Sequence, residues 1–151
     1  MYAPKKKTIH FDLLVLIDRS CSVSNEQANY GLSQLQVLGE SVSGFVVCFD
    51  TEPYYDAMTK IDYATLDELQ KVAYNGGGGT CIGSSLYSYE QIIGPVDMVI
   101  IITDGAIFDM NEVNKKGIPN IDTQYLWLLT QRCSDFNPNF GRVFDLNNSL
   151  L

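Results

Sequence analysis

The chain has 151 residues, which is the size of one domain. Hydrophobic residues make up 46% and charged residues 19%, close to the globular average, so a disordered chain and a fibrous repeat are both excluded. Ten Lys and Arg against 18 Asp and Glu give a formal net charge of −8, which argues against nucleic acid and anionic membranes as partners.

The predicted elements alternate between strand and helix along most of the chain. Strands are predicted at 9–17, 44–49, 53–59 (a short edge strand), 96–103, 124–130 and 142–146. Helices are predicted from Ser24 or Asn25 to about Gly39, from Thr65 through Val72, over 82–93 and over 110–115. This alternation predicts an α/β fold with a doubly wound, mostly parallel sheet flanked by helices on both faces. We expect residues 1–8 to be an N-terminal tail and residues 9–148 to be a single domain.

The apolar runs and the cysteines indicate the cellular compartment of the protein. The longest apolar runs, 11–17 and 98–103, are too short to cross a bilayer, and no signal peptide follows the N-terminal lysines. The four cysteines, at positions 21, 48, 81 and 133, lack the close spacing of zinc or thioredoxin motifs. We therefore expect reduced thiols and a cytoplasmic protein. His10 is the only histidine, so we set aside a histidine-based zinc site and a Ser-His-Asp triad.

Three polar loops follow strands or precede a helix. The first is D-R-S-C-S at 18–22, the second is the glycine run 76–79 with Thr80, and the third is T-D-G at 103–105. In a doubly wound sheet, ligands bind at the carboxyl ends of the strands where the strand order reverses, so these loops are expected to converge there.

The candidate ligands in these loops are all oxygen donors: Asp18, Ser20, Ser22, Thr80 and Asp104. Mg²⁺ prefers octahedral oxygen coordination and usually keeps several waters. In D-x-S-x-S, alternate residues can point towards one ion. Because several of the donors are neutral hydroxyls, the cation would remain electrophilic, and a carboxylate from another molecule could complete its coordination.

The motifs D-x-S-x-S, G-G-T-x-x-G-x-x-L and T-D-G, in this order, resemble the von Willebrand factor A (VWA) fold and its metal-ion-dependent adhesion site. The resemblance implies that Asp18, Ser20, Ser22, Thr80 and Asp104 are the five metal-binding side chains, with Mg²⁺ as the cation and Mn²⁺ or Ca²⁺ as alternatives. Two positions depart from the family pattern. Cys21 stands where glycine is common, and Ile82 replaces a second threonine.

The segments G-G-G-G-T, L-W-L-L-T (126–130) and F-G-R-V (140–143) are most similar to a bacterial and phage VWA-like branch. Longer members of that branch carry a metallopeptidase-like region. The present sequence has no H-E-x-x-H motif, so no protease activity is implied. The branch implies a bacterial or phage-infected host cell.

The predicted function is a metal-dependent protein-binding module without enzymatic activity. The resemblance implies a protein partner that supplies Asp or Glu to the metal, such as a MoxR-type AAA+ ATPase or a larger assembly. One alternative is a Mg²⁺-dependent phosphotransferase or phosphatase of haloacid-dehalogenase type, which also places an Asp after its first strand. Against it, Ser20 stands where such enzymes usually have a second acid. A second alternative is a metal-free VWA scaffold.

Local structural explanations compete with the site. Asp18 and Asp104 could simply cap the helices after them, although this leaves the hydroxyl residues unexplained. The glycine run could hold a phosphate, but it lacks the Lys of G-K-[ST]. Cys21 and Cys81 adjoin predicted ligands, and they could form a disulfide, bind a softer metal, or serve as small residues in tight loops. The last explanation is favoured for a reducing compartment.

Overall fold

A computed structural model of the chain describes residues 11–19, 42–61, 79–131 and 133–145. The predicted helices that begin near Ser24 and at Thr65 lie outside the described residues. So do two of the five predicted metal ligands, Ser20 and Ser22, together with Cys21.

The described residues form one six-stranded sheet with the order β3-β2-β1-β4-β5-β6. The strands are β1 (Phe11–Asp18), β2 (Val42–Phe49), β3 (Thr59–Ile61), β4 (Met98–Thr103), β5 (Gln124–Leu129) and β6 (Arg142–Asp145). All neighbouring strands are parallel except β2 and β3, which are antiparallel. The mostly parallel sheet predicted from the sequence is therefore confirmed.

The central strand β1 shows why an unbroken apolar run forms this sheet. Side chains alternate across a strand, and residues 13–17 are all buried, so both faces of β1 are covered. Leu13, Val15 and Ile17 belong to one apolar cluster, whereas Leu14 and Leu16 belong to the cluster on the opposite face.

The described residues also form three short helices, α1 (Gly83–Leu86), α2 (Tyr89–Ile92) and α3 (Met110–Lys116). They bury Leu86, Tyr89 and Val113 in the same cluster as Leu14 and Leu16. Trp127 on β5 is fully buried in this cluster. None of the helices in the described ranges is long and apolar enough to cross a membrane.

The prediction of a single helix over 82–93 is wrong in one respect. The helical segment is divided at Tyr87 and Ser88 into α1 and α2. The hydroxyl of Ser88 donates to the carbonyl oxygen of Ser84 at 2.6 Å, the oxygen that the Ser88 N–H would use in a continuous helix. The serine side chain thus competes with the backbone and ends the helical pattern.

The edge strand predicted at 53–59 lies later, at Thr59–Ile61, and a 3-10 turn (Tyr55–Ala57) occupies most of the predicted range. The carboxylate of Asp50 explains the shift. It accepts hydrogen bonds from the N–H of Thr51 at 2.5 Å and from the hydroxyl of Tyr54 at 2.6 Å. These bonds fold residues 50–54 into a turn, so pairing with β2 resumes only at Thr59.

Candidate metal centre

The candidate site lies where the chain reverses its direction of travel across the sheet. From β1 the sheet extends to β2 on one side, and after β3 the chain returns to form β4 on the other side of β1. Asp18 is the last residue of β1, and Asp104 directly follows β4. Because β1 and β4 are parallel neighbours, both acids are at the carboxyl edge of the sheet, as predicted.

The carboxylate of Asp18 is completely buried and is held by two threonines. The Thr80 hydroxyl donates to Oδ1 at 3.2 Å, and the Thr103 hydroxyl donates to Oδ2 at 2.7 Å. The Thr103 Oγ1 in turn accepts the N–H of Gly105 at 3.1 Å, which fixes its orientation. The structure thus brings two predicted site residues, Asp18 and Thr80, into direct contact.

Thr103 was not predicted as a site residue, although it belongs to the T-D-G motif. Its position as the last residue of β4, one strand from Asp18, was the available signal.

Asp104 is 2% exposed, and its two oxygens have different surroundings. Oδ1 accepts the N–H of Ala106 at 3.0 Å. Within the described ranges, Oδ2 accepts no hydrogen bond and the carboxylate forms no ion pair. Oδ2 is not among the fully enclosed side-chain oxygens of the described residues that lack a partner, so a ligand can reach it. The local capping explanation therefore accounts for one oxygen of Asp104, and the other suits a cation.

The loop that carries Thr80 is tied to both of its neighbours. On one side, the Cys81 N–H donates to the carbonyl oxygen of Asp50 at 2.8 Å, just after β2. On the other side, the Phe108 N–H donates to the carbonyl oxygen of Thr80 at 2.8 Å. Thr80 is therefore held between the loop after β2 and the loop after β4.

Asp109 forms a second connection between the loops of Thr80 and Asp104. Its Oδ1 accepts the N–H of Ile82 and its Oδ2 accepts the N–H of Gly83, each at 2.9 Å. These two N–H groups lie at the start of α1, where backbone donors lack partners within the helix. The carboxylate of Asp109 thus satisfies both donors and fixes the two loops relative to each other. Asp109 was not predicted as a site residue.

The charges near the site favour thiols over thiolates. Burial raises the pKa of the Cys81 thiol, and the nearby charges of Asp109, Glu112 and Glu52 raise it further. Cys81 is a free cysteine, whereas Cys21, its possible disulfide partner, lies outside the described residues. A protonated thiol is a poor ligand for a soft metal.

The donors at this edge form a set of hard oxygens. Among the described residues, no group of three or more His, Cys, Asp or Glu side chains is arranged to hold a metal. The available donors are the carboxylates of Asp18 and Asp104, at the carboxyl ends of two neighbouring parallel strands, and the hydroxyl of Thr80, which contacts Asp18. Carboxylates and hydroxyls suit Mg²⁺, Mn²⁺ or Ca²⁺ better than a soft metal. The described part of the predicted site therefore fits the predicted cation.

Comparison with known proteins gives structural neighbours only. No family model matches the sequence, and no curated protein matches it either. An aerotolerance-related membrane protein from Bacteroides fragilis, studied with multiple mutations to serines, has a TM-score of 0.61 and is 16% identical. The match covers 93% of this chain and 94% of that chain.

Two further neighbours have the same kind of fold. BatB from Bacteroides thetaiotaomicron has a TM-score of 0.57 and is 19% identical, and the match covers 79% of this chain and 66% of that chain. The manganese-loaded TRAP protein from Plasmodium vivax has a TM-score of 0.53 and is 16% identical, over 95% of this chain and 71% of that one. At these identities the likeness concerns the fold.

Proposed function

We propose that this chain, which has the VWA-like fold of those neighbours, is a metal-dependent protein-binding module. In the proposal a divalent cation is bound by the five side chains of Asp18, Ser20, Ser22, Thr80 and Asp104. The observation that carries it is the buried carboxylate of Asp104, whose Oδ2 has no partner among the described residues. It lies at the same sheet edge as the buried Asp18 and Thr80 pair.

The side chains of this chain prepare the site before any partner arrives. The hydroxyls of Thr80 and Thr103 hold the Asp18 carboxylate in one orientation. The Ala106 N–H holds Oδ1 of Asp104, so that Oδ2 is the oxygen left for a cation. When bound, the cation would supply a positive charge with a coordination position for a carboxylate from another protein. We propose Mg²⁺, with Mn²⁺ and Ca²⁺ as alternatives, and the manganese in the neighbouring TRAP structure supports Mn²⁺.

The fold supports an interaction module in general, and no enzymatic activity is proposed. The haloacid-dehalogenase type of phosphatase remains the alternative from another functional class. The two functions differ in their dependence on the serines, because an adhesion-type site needs the hydroxyls of Ser20 and Ser22 as ligands whereas the phosphatase does not.

Thermal unfolding in EDTA, Mg²⁺ and Mn²⁺ tests the proposal. Metal at a hundredfold excess over its dissociation constant should stabilise the protein by about 2.7 kcal/mol. For a chain of this size that corresponds to a rise in Tm of about 5–10 °C. Asp104→Asn should abolish the rise, because the variant keeps the Oδ1 acceptor for Ala106 but removes the charge. Asp135→Asn, at an exposed loop position, is the matched control and should keep it.

The serine variant separates the two functions. In the double variant Ser20→Ala/Ser22→Ala the stabilisation should vanish. Stabilisation that persists in this variant but is lost in Asp104→Asn would favour the phosphatase. A wild-type protein that is stabilised by neither Mg²⁺ nor Mn²⁺ would contradict the proposal and favour a metal-free scaffold.

We also propose a class of protein partner and a cellular location. The partner should present an exposed Asp or Glu, and a MoxR-type AAA+ ATPase is the candidate implied by the family resemblance. A complex formed through the site should dissociate in EDTA and fail to form with Asp104→Asn. We propose a cytoplasmic location, which the free thiols of Cys48, Cys81 and Cys133 support.

A further inference from the structure

Phe108 is an exposed aromatic residue beside the candidate metal centre. Its side chain is 76% exposed, although it lies only four positions after Asp104. Its ring lies directly over Gly79, the residue before Thr80. A Cβ atom at Gly79 would be 2.2 Å from Cε2 of the ring, so only glycine allows this approach. The ring therefore covers the backbone that leads into a predicted metal ligand.

The backbone of Phe108 is anchored. Its own N–H donates to the carbonyl oxygen of Thr80 at 2.8 Å. The next residue, Asp109, accepts two backbone N–H groups at 2.9 Å each from Ile82 and Gly83. An isolated exposed apolar residue on a surface is ordinary. Phe108 differs because its backbone is hydrogen-bonded to Thr80 and its ring lies over Gly79, the residue before that predicted ligand.

We infer that Phe108 determines which acidic segments this module binds, by packing against an apolar side chain that neighbours the partner's Asp or Glu. The inference rests on the proposed function. A segment that directs its carboxylate to a metal held by Asp104 and Thr80 would approach the loops that carry these residues, and the exposed ring lies on the loop of Thr80. Burying apolar surface against the ring is favourable, whereas a charged or glycine neighbour gains little there.

The predicted occupant is therefore an extended segment or loop of another protein with an acid flanked by Leu, Ile, Met or Phe. The acid is expected because its carboxylate would bind the metal. The apolar neighbour is expected because the exposed ring of Phe108 lies beside the site. The chain itself carries a formal net charge of −8, so without the metal an acidic segment would be repelled. Both features are thus required for binding, and they can be separated experimentally.

The test is selection from a phage-displayed library of random seven-residue peptides on immobilised protein, with Mn²⁺ in the binding buffer and EDTA in the elution buffer. For the wild type, we expect enrichment of Asp or Glu together with an apolar residue within two positions. Synthetic peptides with Leu at that position should bind roughly tenfold more tightly than those with Gly, which corresponds to about 1.4 kcal/mol.

Three variants give the test its controls. Phe108→Ala should still select acidic peptides but lose the preference for an apolar neighbour, and Phe108→Leu should retain most of it. Ile121→Ala is the matched control, because Ile121 is 85% exposed but precedes β5 at the opposite edge of the sheet, and it should behave as the wild type.

Each other outcome overturns the inference in a distinguishable way. Acidic peptides without an apolar preference, or with one that survives Phe108→Ala, would overturn the role of Phe108 and leave the proposed function standing. If no peptide is selected in an EDTA-sensitive manner, the role of Phe108 and the proposed function both fail. Loss of the Mn²⁺-dependent rise in Tm in Phe108→Ala would show that the residue supports the fold of the site, and this too would overturn a role in selection.

Discussion

Replacing Asp109 by Ala should weaken the fold at the start of α1 by an amount that the contacts allow us to estimate. The change removes two hydrogen bonds of 2.9 Å from a charged acceptor and leaves two backbone N–H groups without it. Ile82 is fully buried, so water cannot readily replace the lost acceptor there. Loss of a helix cap costs about 0.5–2 kcal/mol, and a buried donor left unsatisfied costs about 1–3 kcal/mol. Because Asp109 itself is only partly buried, we expect a loss of about 2 kcal/mol, or about 4–8 °C in Tm.

Urea unfolding followed by circular dichroism measures this loss directly. Asp109→Asn keeps one carbonyl oxygen but turns an amide NH₂ towards the second N–H, so its loss should be intermediate. Asp135→Ala removes an acid from an exposed position and should change the free energy of unfolding by less than about 0.5 kcal/mol. The reasoning is refuted if Asp109→Ala costs no more than Asp135→Ala, since the carboxylate would then not connect the two loops in solution.

Three further predictions follow from other contacts. Hydrogen bonds from Tyr54 and from residues 51 and 52 outweigh the effect of burial and lower the pKa of Asp50 below its ordinary 3.8. Asp50→Asn should therefore destabilise the protein at pH 7, and urea unfolding should show the difference disappearing as the pH falls through that lowered pKa. Ser85→Ala should leave the free energy of unfolding unchanged or raise it by up to about 1 kcal/mol. The reason is that the Ser85 hydroxyl is buried without a hydrogen-bond partner in the described structure. A clear loss of stability in the same urea assay would contradict this. Tyr125→Phe should lower the free energy of unfolding in the urea assay by about 1–2 kcal/mol, because the buried hydroxyls of Tyr89 and Tyr125 lie 3.0 Å apart. Changing Tyr89 to Phe as well should recover part of that loss.

The central strands of the sheet were predictable because they are local apolar runs. The run at 96–103 became β4 (Met98–Thr103) and the run at 124–130 became β5 (Gln124–Leu129), with Trp127 in the core. A strand buried on both faces needs a continuous apolar run, and such a run is visible without any knowledge of the partners of the strand. The parallel topology then placed Asp18 and Asp104, which lie at the ends of their strands, at the same edge of the sheet.

The features that were missed depend on contacts between distant residues. Asp109 acts on N–H groups that lie 26 and 27 positions earlier in the chain, and no local pattern marks it. The break at Ser88 depends on a choice between a side-chain and a backbone hydrogen bond, which apolar periodicity does not report. The roles of Ser20 and Ser22 stay predictions, because these residues lie outside the described ones.

The hydrogen bonds of Asp18 have a consequence for the order of events during synthesis. Two of these bonds come from hydroxyls that lie 62 and 85 positions later in the chain. A ribosome must therefore release the segment through β4 before both threonines can hold the carboxylate, and contacts of such long sequence separation form slowly. A nascent or truncated chain that ends before β4 would contain Asp18 but not its orienting threonine from that strand. A partner that engages this edge would then discriminate finished molecules from incomplete ones, without any dedicated signal for maturity.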